Sequence, residues 1–248
     1  MSDMIIYSRR VLLIGFMLLA LSALLFGAGA SESSAAEGAI VEPQPEAAAA
    51  EAQPVNPPLD VEYLDERSAT QQGYAAATFA GGCFWCMEGP YDKLEGVVST
   101  TSGYAGGHVV NPRYQEVGTG TTGHAQVVQV VYDPQIISYE RLLEVFWINV
   151  DPVDAGGQFC DRGSQYRSAI FYHTPQQREE AMQSRRRLDR SGVLPGPIVT
   201  EVSALEEFYP AEEYHQDYYR KNPIRYRFYR TACRRDARLT QLWGEQAE

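Results

Sequence analysis

Two cysteines three residues apart, in the run Gly81-Gly82-Cys83-Phe84-Trp85-Cys86, are the residues best suited by type and spacing to do chemistry. The glycines close a β-prone stretch, Ala75 to Ala80, and the residues from Cys83 to Leu94 read as a helix with Gly96 just past its end. A thiol at such a strand-to-helix junction faces backbone N–H groups without intrahelical partners and the positive end of the helix dipole. Both favour the thiolate, the nucleophilic form of cysteine. Cys86 falls one helical turn on, close enough for the pair to pass between a dithiol and a transient disulfide. Phe84 and Trp85 offer an apolar wall for a small substrate group. The same spacing serves two other ends. It can be half of a zinc site, with Cys160 and Cys233 as further ligands, but those two stand alone and lack paired spacing. It can also form a purely structural disulfide, which export would permit.

The elements that must position this pair follow from pattern and punctuation. Val97 to Gly103 reads as a second strand, and Gln126 to Tyr132, closed by Asp133-Pro134, as a third. Ser138 can cap a helix through Asn149 whose Leu142, Val145 and Phe146 share a face. Residues 151–165 read as loop and Arg167 to His173 as a strand. Thr174-Pro175-Gln176-Gln177 is a helix start, with a capping threonine, proline at the first position and glutamine at the third; that helix runs to about Arg190, before Gly192. Ile198 to Val202 reads as a strand and Ala211 to Arg220 as a short helix before Pro223. Strands and helices interleave through short connections, so the fold class is α+β or α/β. Arg185-Arg186-Arg187 reads as a solvated helix face. The arginines from Arg225 to Arg238 alternate with tyrosines and read as salt-bridging residues whose stems cover the core.

Charge divides the chain. Residues 31–66 hold nine acids and no base, whereas the formal net charge of the whole is −11. The acidity thus sits mainly in a tail, and the remainder, nearly balanced, lacks the basic domain of a typical nucleic-acid binder. Arg9 and Arg10 precede an apolar run from Val11 to Phe26, which ends in small residues with Ala28-Gly29-Ala30 and Ser34-Ala35-Ala36 as cleavage candidates. Residues 1–30 therefore read as an export signal or an uncleaved membrane anchor, since Val11 to Ala30 is also near the length of a spanning helix. The arginine pair also resembles a twin-arginine signal. Residues 31–68, rich in Ala, Glu and Pro, read as a disordered acidic linker, and residues 69–248 as one folded domain.

The cysteine motif sits among others in a fixed order. Gly81-Gly-Cys-Phe-Trp-Cys86 is followed by Gly89-Pro-Tyr-Asp-Lys-Leu-Glu-Gly-Val97, Ser102-Gly-Tyr-Ala-Gly-Gly107, Asn111-Pro-Arg-Tyr114, Gly123-His-Ala125, Asp161-Arg-Gly-Ser-Gln-Tyr166 and Glu212-Glu-Tyr-His-Gln-Asp-Tyr218. The set resembles the A-type peptide methionine sulfoxide reductases over roughly residues 76–244. The resemblance implies a ferredoxin-like mixed sheet core with flanking helices and a long irregular carboxy-terminal region. It implies thiol-dependent reduction of methionine S-sulfoxide, free or in proteins, with no metal or other cofactor. Cys83 matches the nucleophile that becomes a sulfenic acid. Phe84 and Trp85 match the pocket for the substrate methyl group. Tyr114 and Tyr166 match tyrosines that hydrogen-bond the sulfoxide oxygen, and Asp161 matches a carboxylate at the same site. A thioredoxin-like reductant is the implied partner, with a monomer, no nucleic acid, and a membrane only through the amino-terminal segment. The location implied is the periplasm or cell envelope, the task repair of oxidised envelope proteins.

Two points depart from that pattern or stay open within it. Gln126 stands where the family usually has a glutamate thought to protonate the sulfoxide oxygen, and a glutamine can donate a hydrogen bond but not a proton. Water, Tyr114, Tyr166, Asp161 or Glu116 could take over. The resolving thiol is Cys86 by proximity; Cys233, in the carboxy-terminal region, is the alternative, and Cys160, beside Asp161, is a candidate relay. Two rival functions follow: a slow or non-catalytic sulfoxide-binding homologue, suggested by Gln126, and a general thiol–disulfide exchange protein using Cys83 and Cys86. His215 lies in a matching segment and is assigned no catalytic role.

Overall fold

The computed structural model describes residues 65–244. The expected signal or anchor and all but the end of the expected linker lie outside the described residues. That end is already folded: Asp65 caps α1 (Glu66–Gln71), accepting from the Ser68 N–H. Among the described residues no helix is long and apolar enough to cross a membrane.

The core is a β-α-β-β-α-β unit. β1 (Ala75–Gly81) leads into α2 (Phe84–Asp92), then β2 (Val97–Ala105), the short α3 (Tyr114–Gly118), β3 (Ala125–Tyr132) and α4 (Tyr139–Ile148). A two-residue hairpin pair, β4 (Gly157–Gln158) and β5 (Asp161–Arg162), and a 3-10 turn at Ser164–Tyr166 break up what reads in sequence as plain loop. β6 (Ser168–Tyr172), α5 (Pro175–Ser191), β7 (Glu201–Ala204) and β8 (Phe208–Pro210) complete the sheet, whose order is β7-β6-β1-β3-β2-β8. The inner four strands, β6-β1-β3-β2, pair antiparallel in the ferredoxin-like arrangement, and β7 adds in parallel at one edge.

β3 is central and buried along its whole length, so its two faces part by period two. Val128, Val130 and Tyr132 join Phe79, Tyr91, Leu142 and Phe146 in the large core beneath the helices. Val127 packs on the opposite face with Ala80, Ala105, Ala169 and Phe171. Phe79 is fully buried, 5.3 Å from the Tyr91 ring and 5.4 Å from that of Phe146; burying one such ring is worth about 2–3 kcal/mol. By the same alternation Gln126 lies on the helix-bearing face, opposite Tyr104 of β2. This places its side chain toward α2.

The helices start where their caps direct. Ser138 Oγ accepts from the Arg141 N–H and Thr174 Oγ1 from the Gln177 N–H. Gln177 reaches past its own cap, its Oε1 accepting from the His173 N–H and its Nε2 donating to the Ala76 carbonyl, and so ties α5 to β1. Gly192, at φ 69°, ends α5. Two readings shift. The strand expected at 198–202 begins at Glu201, because Val199 N–H bonds the Pro152 carbonyl instead of β6. The helix expected from Ala211 to Arg220 is a 3-10 turn, Glu213–His215, then α6 (Tyr218–Lys221), separated at Asp217, which takes φ 53°. The carboxy-terminal region is largely irregular from Leu205 to Asp217 and then helical, with α7 (Pro223–Ala232) and α8 (Arg235–Trp243) following α6.

Candidate active site

Gly81 and Gly82 make the turn from β1 into α2 because no side chain fits there. A Cβ on Gly81 would lie 2.5 Å from Met87 Sδ and 2.9 Å from Val150 Cγ1; one on Gly82, at φ 84°, would lie 2.6 Å from Gln158 Cβ. The turn delivers Cys83 to the N-cap of α2. One donor at that helix start is already used: the Phe84 N–H donates to Gln126 Oε1 at 3.2 Å. Gln126 is therefore built into the junction that presents the thiol.

Cys83 and Cys86 are free thiols, 2% and 1% exposed. Cys83 hydrogen-bonds Cys86. Burial first, then that bond and the Asp161 charge, push the Cys83 thiol well up. Cys86 is drawn down to about 7, first by the bond from Cys83 and then by Arg235 and Arg230. In this closed site burial opposes the favour that the helix start shows to a Cys83 thiolate. The first negative charge is held between two hydrogen-bonded sulfurs. Titration belongs to the pair: the first proton leaves easily and the second is opposed.

Aromatic rings wall the thiols. Phe84 is ringed by Tyr104, Tyr114 and His215, with centroids 6.0, 6.3 and 5.0 Å away. Trp85 stacks on Tyr218 at 3.8 Å and meets the Tyr229 ring edge-on at 5.9 Å. Its indole N–H donates to His215 Nδ1 at 3.1 Å. That donor fixes Nδ1 as an acceptor, and burial holds the His215 pKa down to about 3, so the ring is neutral. Glu212 organises the far wall: Oε2 accepts from Tyr104 O–H at 2.9 Å and Oε1 from the Tyr114 N–H at 3.0 Å. Burial, then Glu212 and the neighbouring Tyr214 and Tyr166, raises the Tyr104 hydroxyl far above its ordinary value. Tyr166 is buried at the end of the 3-10 turn after β5.

Of the expected site residues, Cys83, Phe84, Trp85, Cys86, Gln126, Tyr114 and Asp161 come together around the α2 start. Glu116 does not serve there, because its carboxylate accepts from the exposed Arg113 N–H and caps the start of α3. Cys160 and Cys233 form a disulfide with each other, Cα–Cα 4.8 Å; their sulfurs are bonded and not thiolate ligands for a metal.

Several residues escaped the sequence reading. Tyr229 O–H donates to both oxygens of Asp161, at 2.7 and 2.6 Å, and hydrogen-bonds Cys83. His215 holds Trp85 through the indole N–H, a positioning role beside the chemistry. Arg235 is 1% exposed beneath the turn, donating to the Gly81 carbonyl at 3.1 Å and the Asn149 carbonyl at 2.6 Å, over the Phe159 ring at 4.3 Å. Of the carboxy-terminal arginines, Arg230 and Arg238 bear out the salt-bridge reading, with Asp236 and Asp151. The signal for Tyr229 and Arg235 lay only in that tyrosine–arginine alternation.

A buried thiol pair at a helix start, walled by aromatics and faced by amide and carboxylate, defines a cysteine-based oxidoreductase. The sequence model of the family described as peptide methionine sulfoxide reductase matches residues 75–247. The peptide methionine sulfoxide reductase MsrA of Bacillus subtilis is 53% identical over 168 residues, covering 68% of this chain and 95% of that protein. The protein of the same name from Bacillus licheniformis is 52% identical over 170 residues, covering 68% and 94%. Among solved structures, Mxr1 from Saccharomyces cerevisiae in reduced form is similar with a TM-score of 0.58 at 33% identity, over 61% of this chain and 87% of that one. Methionine sulfoxide reductase A of Corynebacterium diphtheriae is similar with a TM-score of 0.57 at 36% identity, over 63% and 78%. The chain belongs to the A-type peptide methionine sulfoxide reductase family and is an oxidoreductase of that kind.

Proposed function

We propose that the chain reduces methionine S-sulfoxide, free or in proteins, with Cys83 as nucleophile and Cys86 as resolving thiol. The observation that carries this assignment is the cysteine pairing: Cys83 and Cys86 lie side by side as free thiols, while Cys160 and Cys233 are bonded to each other. The Cys83 thiolate attacks the sulfoxide sulfur while the sulfoxide oxygen takes up a proton. The S–S bond so formed then breaks as the protonated oxygen passes from the methionine sulfur to Cys83, so that methionine leaves with its electron pair restored and Cys83 becomes a sulfenic acid. Cys86 then attacks the Cys83 sulfur, water departs, and a Cys83–Cys86 disulfide remains. Phe84 and Trp85 receive the methyl group. Gln126 Nε2 donates a hydrogen bond to the sulfoxide oxygen, and the proton comes from water or from Tyr114 or Tyr166. Mapping the disulfide formed after a single turnover tests the assignment: a Cys83–Cys86 bond is expected, and a Cys83–Cys233 bond contradicts it.

A dithiol protein of the thioredoxin kind returns the pair to thiols, and the enzyme acts as a monomer. The amino-terminal arginines and apolar run support export to the periplasm or cell envelope, with repair of oxidised envelope proteins as the task. Amino-terminal sequencing of the mature protein distinguishes a cleaved signal from an anchor. A second reading, a slow or sulfoxide-binding homologue, is favoured by one observation: Gln126 cannot supply the proton and its Oε1 is committed to the Phe84 N–H.

A further inference from the structure

The segment that lays Tyr229 on the site is fastened covalently at one point. Cys233 caps α7 and is bonded to Cys160, 73 residues earlier. Otherwise α7 is thinly held. It buries no residue, and Ile224 and Phe228 on it are exposed. α8 beyond it is anchored, carrying Arg235, Leu239, Leu242 and Trp243 into the interior. The stretch from α6 to Cys233 is bracketed by two non-glycine residues in the left-handed region, Asp217 and Arg234, each at φ 53°. Such backbone persists only where the surroundings hold it. α6 is held to α2, with Tyr218 stacked on Trp85 and the Tyr219 hydroxyl donating to Asp92, so the weakly packed part of the strap is α7, with Arg234 as the hinge position at its end.

The strap closes the site through Tyr229. Its hydroxyl occupies Asp161 and reaches Cys83, and its ring covers the edge of Trp85. Cys83 and Cys86 are sealed beneath it, whereas Cys160 is exposed and Cys233 half-buried. A cavity of about 340 Å³, lined in part by Phe159, Cys233 and Arg234, opens beside the bond.

We propose that Cys160–Cys233 is a second redox site, a latch that keeps Tyr229 over Cys83 while oxidised and frees the strap when a dithiol protein reduces it. The inference rests on Cys83 being the nucleophile. A thiolate of the dithiol attacks one sulfur of the pair, and the Cys160–Cys233 bond breaks as a mixed disulfide forms. The second thiolate of the reductant then displaces the freed cysteine. The reductant leaves as a disulfide, and Cys160 and Cys233 gain two electrons and two protons. The sulfoxide is thereby admitted only where a donor is present to return Cys83 to the thiol. A sulfenic acid left waiting would be open to further, irreversible oxidation.

Alkylation tests the latch without any sulfoxide. The full chain, with Cys160–Cys233 oxidised and Cys83 and Cys86 as thiols, is exposed to iodoacetamide, and modification of Cys83 and Cys86 is followed by peptide mass. The double variant Cys160→Ser/Cys233→Ser is expected to react about tenfold faster or more. Tyr229→Ala, with the latch intact and the fold checked by circular dichroism, is expected to gain a similar factor. Equal rates in all three proteins overturn the latch, and a gain confined to the double variant overturns the role of Tyr229. Fast alkylation in both variants with no methionine formed from sulfoxide would sink the reductase reading and leave the latch standing.

Discussion

Two cysteine pairs share one site in opposite redox states. Cys83 and Cys86 are thiols, buried on the rigid junction between β1 and α2. Cys160 and Cys233 are a disulfide at the surface, joining a hairpin loop to a strap of short helices. The inner pair is pre-set by the sheet: Gly81 and Gly82 aim it, Gln126 fixes the helix start and Arg235 supports the turn from below. The outer pair joins a hairpin whose Gln158 and Asp161 are buried to α7, which buries no residue. The contrast separates two tasks. Chemistry at sulfur needs fixed geometry and a lowered barrier to losing one proton. Exchange with another protein needs exposure and a segment able to move.

Removing the inner resolver breaks the comparison most sharply. Cys86→Ser is expected to release one methionine per enzyme and then stop with a dithiol protein as reductant, Cys83 remaining as a sulfenic acid that dimedone traps. Continued turnover at the wild-type rate would show that Cys233 resolves. Gln126→Glu is expected to raise single-turnover reduction by about 10²-fold, since general acids contribute typically 10²–10⁴, while its carboxylate keeps the bond from the Phe84 N–H. No gain in a rapid-quench assay would mean that another donor already suffices.

Two further changes probe the support of the inner pair. Arg235→Ala takes the donor from the Gly81 and Asn149 carbonyls and leaves a cavity under the turn. A loss of about 4 kcal/mol in urea unfolding is expected. Glu88, also on α2, is 1% exposed, and burial raises its carboxyl from 4.5 to about 8. A native pKa above the unfolded one gives stability that is full below about 4.5 and is lost as pH rises through about 8. Glu88→Gln keeps an oxygen for the Asp217 N–H and removes that slope. It is expected to stabilise the protein by about 3 kcal/mol at pH 8 and by nothing below pH 4.5, read from urea melts across that range.

The inner region was legible in the sequence because its signals are local. A glycine pair before a helix, a valine-rich strand at Gln126 to Tyr132 closed by Asp133-Pro134 and capping residues at Ser138 and Thr174 each act within a few residues, and each produced the element it announces. The outer region was not. The break at Asp217 depends on contacts with α2, including the Glu88 carboxylate that accepts its N–H. Tyr229, Arg235 and His215 gain their roles only from partners 68, 154 and 130 positions away, Asp161, Gly81 and Trp85. The pairing of Cys160 with Cys233 is likewise set by tertiary approach, and four cysteines allow three connectivities. The resemblance to a family supplied Cys83, Asp161 and the tyrosines, but could not say which thiol pair would be free.

The most direct test of the account is single-turnover reduction of methionine S-sulfoxide by the purified, fully reduced chain with no reductant added. About one methionine per enzyme, lost in Cys83→Ser, is the predicted result. No methionine from a chain that still binds the sulfoxide would contradict it and leave a binding protein limited by Gln126.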